Sequence, residues 1–505
     1  MKTRIVLALL FGWSSSVFAA PPAETEVAIL GAGWAGLSAA VEFQENQFKD
    51  FVILEASDEA GGLAKSEPSS NGKFHADHGP QFILSHYDRT LELMRWAGIQ
   101  NGLVEITPYS SSTFGGDDEY LTVDNSDKWS LYYAETKGGY KLMYPNDALN
   151  VADAISDHAR EMRQAERDRG RKLSPARMDD WDLFDTETVN DWGRRNYGLW
   201  PTQTMLKPFY DGIFFQPLRE ISKSSIMWVL QNYSRKDKWY TARDGMQEFT
   251  DAIAKKLAKN IFYSSPVSKV KKRKDGKFEV LYSRPDGSHS ATLVAQKVIF
   301  ALPPRIAAKL LDASVPLTPS QKEVLKTKSY STMVVNVEVD QKYTQGLKIL
   351  QYQGKSVSVV YSLSSAAQKN RPLAAFSVET GKIGKSLSGK QVFGGHMTDQ
   401  SAQALWNEPD SKIIAMVHAQ LEKIFDLGKG GLAAWSPKTE VFRIPDATTS
   451  MDVGQATLLK EFWIEQEDPA HTQKSGLLFA TGVSFPTVEA SAVSGQRVAI
   501  TLLKP

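Results

Sequence analysis

Gly31, Gly33 and Gly36 stand at the spacing that cradles a diphosphate, and each glycine has a steric purpose. Gly31 permits a tight turn. Gly33 lets backbone lie against a pyrophosphate, and Gly36 lets a helix pack closely on the preceding strand. Ala32, Trp34 and Ala35 between them add backbone amides, and a helix opening there aims its partial positive charge at phosphate. Glu55, followed by Ala56, can accept hydrogen bonds from a ribose diol, and its charge disfavours a 2′-phosphate. A glycine triplet alone also fits a purely structural turn; the acid one strand later favours an adenine dinucleotide.

Gly61-Gly62-Leu63-Ala64 and His75-Ala76-Asp77-His78-Gly79-Pro80-Gln81 follow closely. Two histidines, an aspartate and His86 raise the question of zinc. Glycine and proline break the segment at once, so Asp77 is expected to tie down a loop through backbone amides, and no metal is expected. The chain has 0 cysteines. Disulfides, thiolate nucleophiles, Cys-ligated zinc and iron–sulfur clusters are thereby excluded. There is no Gly-x-Ser-x-Gly nucleophile elbow.

The glycines need a strand, a turn, a helix and a second strand to position them. Val27-Ala28-Ile29-Leu30 reads as a buried parallel strand, residues 37–43 continue at helical spacing, and Phe51-Val52-Ile53-Leu54 is a second buried strand ending at Glu55. This is a βαβ unit of about 30 residues. Residues 100–140 read as loops or short strands, 153–171 as a charged surface helix, and 209–217 as an aromatic run broken by Gly and Pro. Residues 247–257 read as an amphipathic helix. Residues 269–284 form a hairpin around Asp275-Gly276, and 297–302 a buried strand stopped by Pro303-Pro304. Strands of a second sheet are expected at 334–339 and 357–361. A last strand at 476–480 precedes a helix from about Thr487 to Leu502. The fold class is α/β: a Rossmann-like domain with a second, mixed α+β domain, interleaved in sequence.

These motifs resemble the flavin-dependent amine oxidase superfamily, which includes monoamine and polyamine oxidases, protoporphyrinogen oxidases and carotenoid desaturases. The shared pattern is a glycine fingerprint, an acid, a Gly-Gly pair and an Asp-x-Gly segment, here Asp77-His78-Gly79. Residues 476–482 and 487–499 are similar to the family's last strand and closing helix. Asp244-Gly245-Met246 and 297–304 match weaker landmarks, so the resemblance covers both ends and the middle of the chain. It implies FAD, with adenosine near Glu55 and Ala56 and diphosphate over Gly31–Gly36. Gly61, Gly62, Leu63 and Ala64 would lie near the ribityl chain and ring, and His78, Gly79, Pro80 and Gln81 near the isoalloxazine. The Val267 backbone would meet adenine. Gly482 would end the last strand, and Thr487 and Val488 would place a helix N-terminus against charge on the reduced ring. Two departures stand out. Leu63 occupies the place of a common arginine, and Val483 that of a common acid.

By the same resemblance, residues 24–90, 240–305 and 465–505 form the FAD-binding domain, and 91–239 and 306–464 the substrate domain. The implied activity removes a hydride from a small or medium organic substrate, an amine first of all, with electrons passed to oxygen or an external acceptor. Amine oxidases carry an aromatic residue where this chain has Thr487, so Phe485 and Trp463 are candidate substitutes. Tyr210, Phe214 and Phe215 could line the pocket. No catalytic base is assignable. A carbon–carbon dehydrogenase of protoporphyrinogen-oxidase or desaturase type, needing only a long apolar pocket, is the alternative. A flavin protein without net redox chemistry, as in UDP-galactopyranose mutase, is another.

The 59 Lys+Arg against 58 Asp+Glu argue against a nucleic-acid partner. With 42% hydrophobic and 23% charged residues, the composition is that of a globular chain. Lys2 and Arg4, the apolar run 5–11 and Val17-Phe18-Ala19 have the layout of a secretory signal peptide over residues 1–19, cleaved near Ala19. Cleavage removes two basic residues and no acid, leaving a near-neutral mature chain. The run is too short to span a bilayer, and no transmembrane anchor is expected after processing. The expected location is periplasmic or secreted.

Overall fold

From Val27 to Leu30 every residue of the first strand is apolar and buried, which commits Glu24–Leu30 to the interior of a sheet. The computed structural model describes residues 20–504 except 74, 107–110, 116–118, 125–129, 136–138, 143–144, 200–201, 234–237, 285–289, 353–354, 357–358, 363–370, 380–381 and 383–388. The proposed signal segment, 1–19, lies outside the described residues. Glu24–Leu30 pairs in parallel with Phe51–Leu54 on one side and Ala291–Phe300 on the other. Ile261–Phe262 extends the sheet beyond Phe51–Leu54. Ala291–Phe300 is long enough to take two partners. Its first half pairs with Phe278–Tyr282 of the hairpin, and its second half with Leu477–Phe479. Val267–Lys272 closes that edge. The hairpin turns at Gly276, where φ is 87°, a conformation glycine adopts at no steric cost.

Helix Trp34–Glu45 crosses over this sheet and packs on the final helix, Val488–Leu503. Contact is close because Gly495 has no side chain: a Cβ there would sit 2.0 Å from Ala35 O. A nine-stranded sheet forms the second layer. Gly139–Leu142, Ser130–Glu135, Glu119–Asp124 and Ser111–Gly115 run from one edge, followed by Val359–Ser362, Leu373–Val378, Lys390–Met397, Ser329–Asp340 and Lys438–Thr449. Strand alternation divides its side chains. Met333, Val335, Val337, Phe376, Val378 and Phe393 face a core covered by helix Asp410–Ile424. Thr332, Ala375, Ser377 and His396 face the other way and line a cavity. Among the described residues, no helix is long and apolar enough to cross a membrane.

Candidate active site

The glycine turn is held by its neighbours. Gly31, at φ 103°, donates its N–H to Leu54 O at 2.9 Å, and Gly61 N–H reaches Ala32 O at 3.0 Å. Gly36 has an internal reason to be glycine, because a Cβ would lie 2.0 Å from Gly31 O. Gly33 has none. Its φ and ψ, −76° and −177°, suit any residue, and the nearest atom to a Cβ would be Gly62 Cα at 3.8 Å. A Cβ on Gly62 would in turn stand 3.3 Å from Gly33 Cα. The two glycines lie side by side and leave an open slot along their backbones that a side chain on either would enter. An external group lying against the backbone supplies the missing reason for Gly33.

At the adenosine end, Glu55 Oε2 accepts Ala32 N–H at 2.7 Å, while Oε1 accepts Ser57 N–H at 2.9 Å and Ser57 O–H at 2.7 Å. A carboxylate has about four lone-pair sites, so one remains for a ribose hydroxyl. Ser264 and Ser265 donate their N–H groups to Ser57 O and Glu55 O, both at 2.8 Å. That pairing brings the segment entering Val267 alongside Ala56. At the other end, Trp34 Nε1 is buried without a partner and Leu63 is 45% exposed, and both line the cavity. An orphaned donor and a bare leucine beside a backbone slot fit FAD, whose ring and ribityl chain would cover them.

Three supports hold the cavity open there. Gly79 lies so close to Leu63 that a Cβ would sit 1.9 Å from Leu63 O, and His78, Gly79, Pro80 and Gln81 line the cavity beside Leu63 and Ala64. Asp77 accepts Ser66 O–H at 2.6 Å and Met246 N–H at 2.8 Å, and burial pushes its carboxyl up to about 6. The loop-holding part expected of Asp77 is therefore what it performs. The last helix is the third support. Thr487 caps it by accepting Ala490 N–H at 3.1 Å. Glu489, raised by burial, accepts Arg89 N–H at 3.0 Å, Thr90 N–H at 2.8 Å and Thr90 O–H at 2.7 Å. Its N-terminus thus stays aimed into the cavity, where Thr487, Val488 and Ser491 line the wall beside Gly482.

The cavity measures about 280 Å³. Its far wall is aromatic: Phe214, Phe215, Trp228, Trp239 and Phe485, with Phe485 stacked on Trp228 at 4.4 Å between ring centres. Gln81 Nε2 sits 3.1 Å from His396 Nε2. Burial pushes both His78 and His396 down to about 4, so both rings are neutral at pH 7. Lys382 and His78 nearby push His396 the same way. Asp446 is the one charged side chain among the described lining residues, and Arg305 pairs with it at 2.8 and 3.0 Å. No lysine lines the cavity among the described residues. The cavity therefore suits a largely apolar molecule with a small polar end.

Two expected substrate contacts are corrected. Trp463 is 1% exposed, donates Nε1–H to Val483 O at 2.8 Å and lies under Arg497. It faces the core because helix Gln455–Gln466 also turns Ala456, Leu459 and Phe462 inward. Tyr210 is fully buried behind Phe214, with its hydroxyl 2.8 Å from Ser225 Oγ. Neither lines the cavity, whereas Phe214, Phe215 and Phe485 do. Sequence reasoning missed Thr332, Ser377, His396 and Asp446, which arrive on strands of the second sheet. The Gly394-Gly395-His396 run was the available signal: each glycine makes room for a side chain from the neighbouring strand, Ser377 or Leu373.

Solved structures share this architecture. Putrescine oxidase bound to putrescine matches with a TM-score of 0.66 at 16% identity, covering 94% of this chain and 98% of that one. A protoporphyrinogen oxidase-like protein from Exiguobacterium sp. 255-15 gives 0.68 at 16%, covering 95% and 99%. Cyclohexylamine oxidase from Brevibacterium oxydans IH-35A gives 0.65 at 16%, covering 94% and 98%. At such identities the likeness shows the fold. A sequence search of curated proteins returns no match. The family model for flavin-containing amine oxidoreductases matches residues 34–499. With that match running from the helix after the glycine turn into the closing helix, the chain belongs to the flavin-containing amine oxidoreductase family, whose cofactor is FAD.

Proposed function

We propose that this protein oxidises a small or medium amine with FAD, outside the cytoplasm, and passes the electrons to oxygen or an external acceptor. The observation that carries the reading is an aromatic cavity of about 280 Å³ whose wall includes Trp34 and Leu63, the residues that directly follow Gly33 and Gly62. Bound FAD supplies the hydride acceptor. The chain's own residues do the rest. Gly33 and Gly62 admit the diphosphate, Glu55 holds the ribose, and the N-terminus of Val488–Leu503 offsets negative charge at the ring. Phe214, Phe215, Trp228 and Phe485 exclude water and hold the substrate's apolar body. An apolar wall also disfavours an ammonium ion, so the amine reaches the ring neutral, with the nitrogen lone pair available as hydride leaves carbon. The signal layout of residues 1–19 supports secretion or a periplasmic location.

The test is anaerobic bleaching of the flavin absorbance by amines such as benzylamine, cyclohexylamine and putrescine, set against a panel of apolar polyenes and reduced tetrapyrroles. Bleaching by an amine is expected. Bleaching by the apolar panel alone would replace the reading with a carbon–carbon dehydrogenase, which the aromatic wall and Thr487 in place of the usual aromatic residue also favour.

A further inference from the structure

Behind the cavity wall lies a buried charged pair that the reaction above does not use. Ser377 lines the cavity from strand Leu373–Val378 and donates its hydroxyl proton to Glu379 Oε1 at 2.5 Å. Glu379 Oε2 in turn lies 2.6 Å from Lys382 Nζ. The Glu379 and Lys382 side chains are 3% and 1% exposed. The fold makes room for the pair. A Cβ on Gly394 would stand 2.6 Å from Ser377 Oγ and 3.3 Å from Glu379 Oε1. Burying an ion pair gains little stability over apolar packing, so its presence one hydroxyl away from the cavity calls for another reason.

The hydrogen-bond inventory supplies one. A serine hydroxyl has one proton and two lone pairs. Glu379, acceptor-only as the carboxylate partner of Lys382, takes the proton on Oε1, while Lys382 Nζ stands against Oε2. Only lone pairs are then left to face the cavity. Ser377 cannot donate to a substrate; it can accept. We propose that Ser377, fixed as an acceptor by the buried Glu379–Lys382 pair, anchors an N–H of the substrate and makes this site select primary and secondary amines over tertiary ones. Ser377 touches the substrate, while Glu379 and Lys382 are positioning residues. Such a bond leaves the nitrogen lone pair of a neutral amine free. The inference rests on the amine reading above.

The experiment compares benzylamine with N,N-dimethylbenzylamine, which as a free base has the same ring and no N–H. Their dissociation constants are read from perturbation of the bound flavin spectrum under anaerobic conditions, in the holoprotein, together with the limiting bleaching rate. The wild type is expected to prefer benzylamine by about ten-fold, the worth of one good hydrogen bond. Ser377→Ala should abolish that preference while leaving the affinity for the tertiary amine within about two-fold. Ser377→Thr should restore it. Glu379→Gln, which can donate to Ser377 and free its proton, should also reduce it. A preference unchanged in Ser377→Ala, or benzylamine bound more tightly there, overturns the anchor and leaves the amine reading standing. A wild-type flavin that ignores both amines overturns both.

Discussion

Replacing Gly33 by alanine separates the cofactor slot from the protein's own packing. The added methyl keeps a backbone of φ −76° and ψ −177° and meets no protein atom nearer than Gly62 Cα at 3.8 Å. In the flavin-free chain, stability should hold or rise by about 0.4–1 kcal/mol, because alanine has less unfolded-state freedom to lose than glycine. Gly36→Ala is the contrast. Its methyl would stand 2.0 Å from Gly31 O and 3.3 Å from Ala301 Cβ, an overpacking that costs at least about 1–3 kcal/mol with or without ligand. FAD at a hundred times its dissociation constant stabilises the wild type by about 2.7 kcal/mol. If the Gly33→Ala methyl weakens binding by about a hundred-fold, the same FAD concentration contributes only about 0.4 kcal/mol. The assay is thermal unfolding of wild type and both variants with flavin stripped and then restored. Gly33→Ala should melt like stripped wild type and lose nearly all the FAD-induced shift. A Gly33→Ala chain that melts early without flavin, or that shows the full wild-type shift, refutes the slot.

Other outcomes follow from single side chains. Glu55→Gln should weaken FAD by roughly ten-fold or more through loss of charge-assisted acceptance, measured by fluorescence titration of the stripped protein. Trp463→Phe should lower stability by about 1–2 kcal/mol, through the lost bond to Val483 O, and leave substrate affinity unchanged. Phe485→Ala, at the cavity wall, should raise the dissociation constant for benzylamine. Burial holds His158 down at about 4 against an ordinary 6.5. The unfolded chain therefore binds that proton first as pH falls, and stability is lost from about pH 6.5 towards 4, by at most about 3 kcal/mol. Asp77, raised from 3.8 to about 6, has the opposite sign and gains stability as pH falls through 6. His158→Gln should flatten the acid side of the stability–pH curve, read by chemical denaturation at pH 7 and pH 4.5.

How legible the site was depended on whether its logic was local. The strand–turn–helix over Glu24–Glu45 could be read because glycine sterics and apolar runs act within a few residues. The helix Val488–Leu503 could be read for the same reason: Thr487 is a capping residue directly ahead of an apolar period. Trp463 was misplaced because aromatic character does not say which face of Gln455–Gln466 turns inward. The polar end of the cavity was out of reach. Ser377 and His396 meet there only through the antiparallel register that sets Ser377 opposite Gly394 and Ala375 opposite His396, and register between strands distant in sequence is a tertiary property. Residues 100–140, read as loops or short strands, contribute four strands in sequence, Ser111–Gly115 to Gly139–Leu142, to one edge of the nine-stranded sheet.

The most direct test of the central claim is to purify the chain, release its chromophore and weigh and count it, then solve the holoprotein. One FAD per chain is predicted, with its diphosphate over the backbones of Gly33 and Gly62 and its ring against Thr487 and Val488. A colourless protein that ignores added FAD, or a flavin seated away from that slot, contradicts the account.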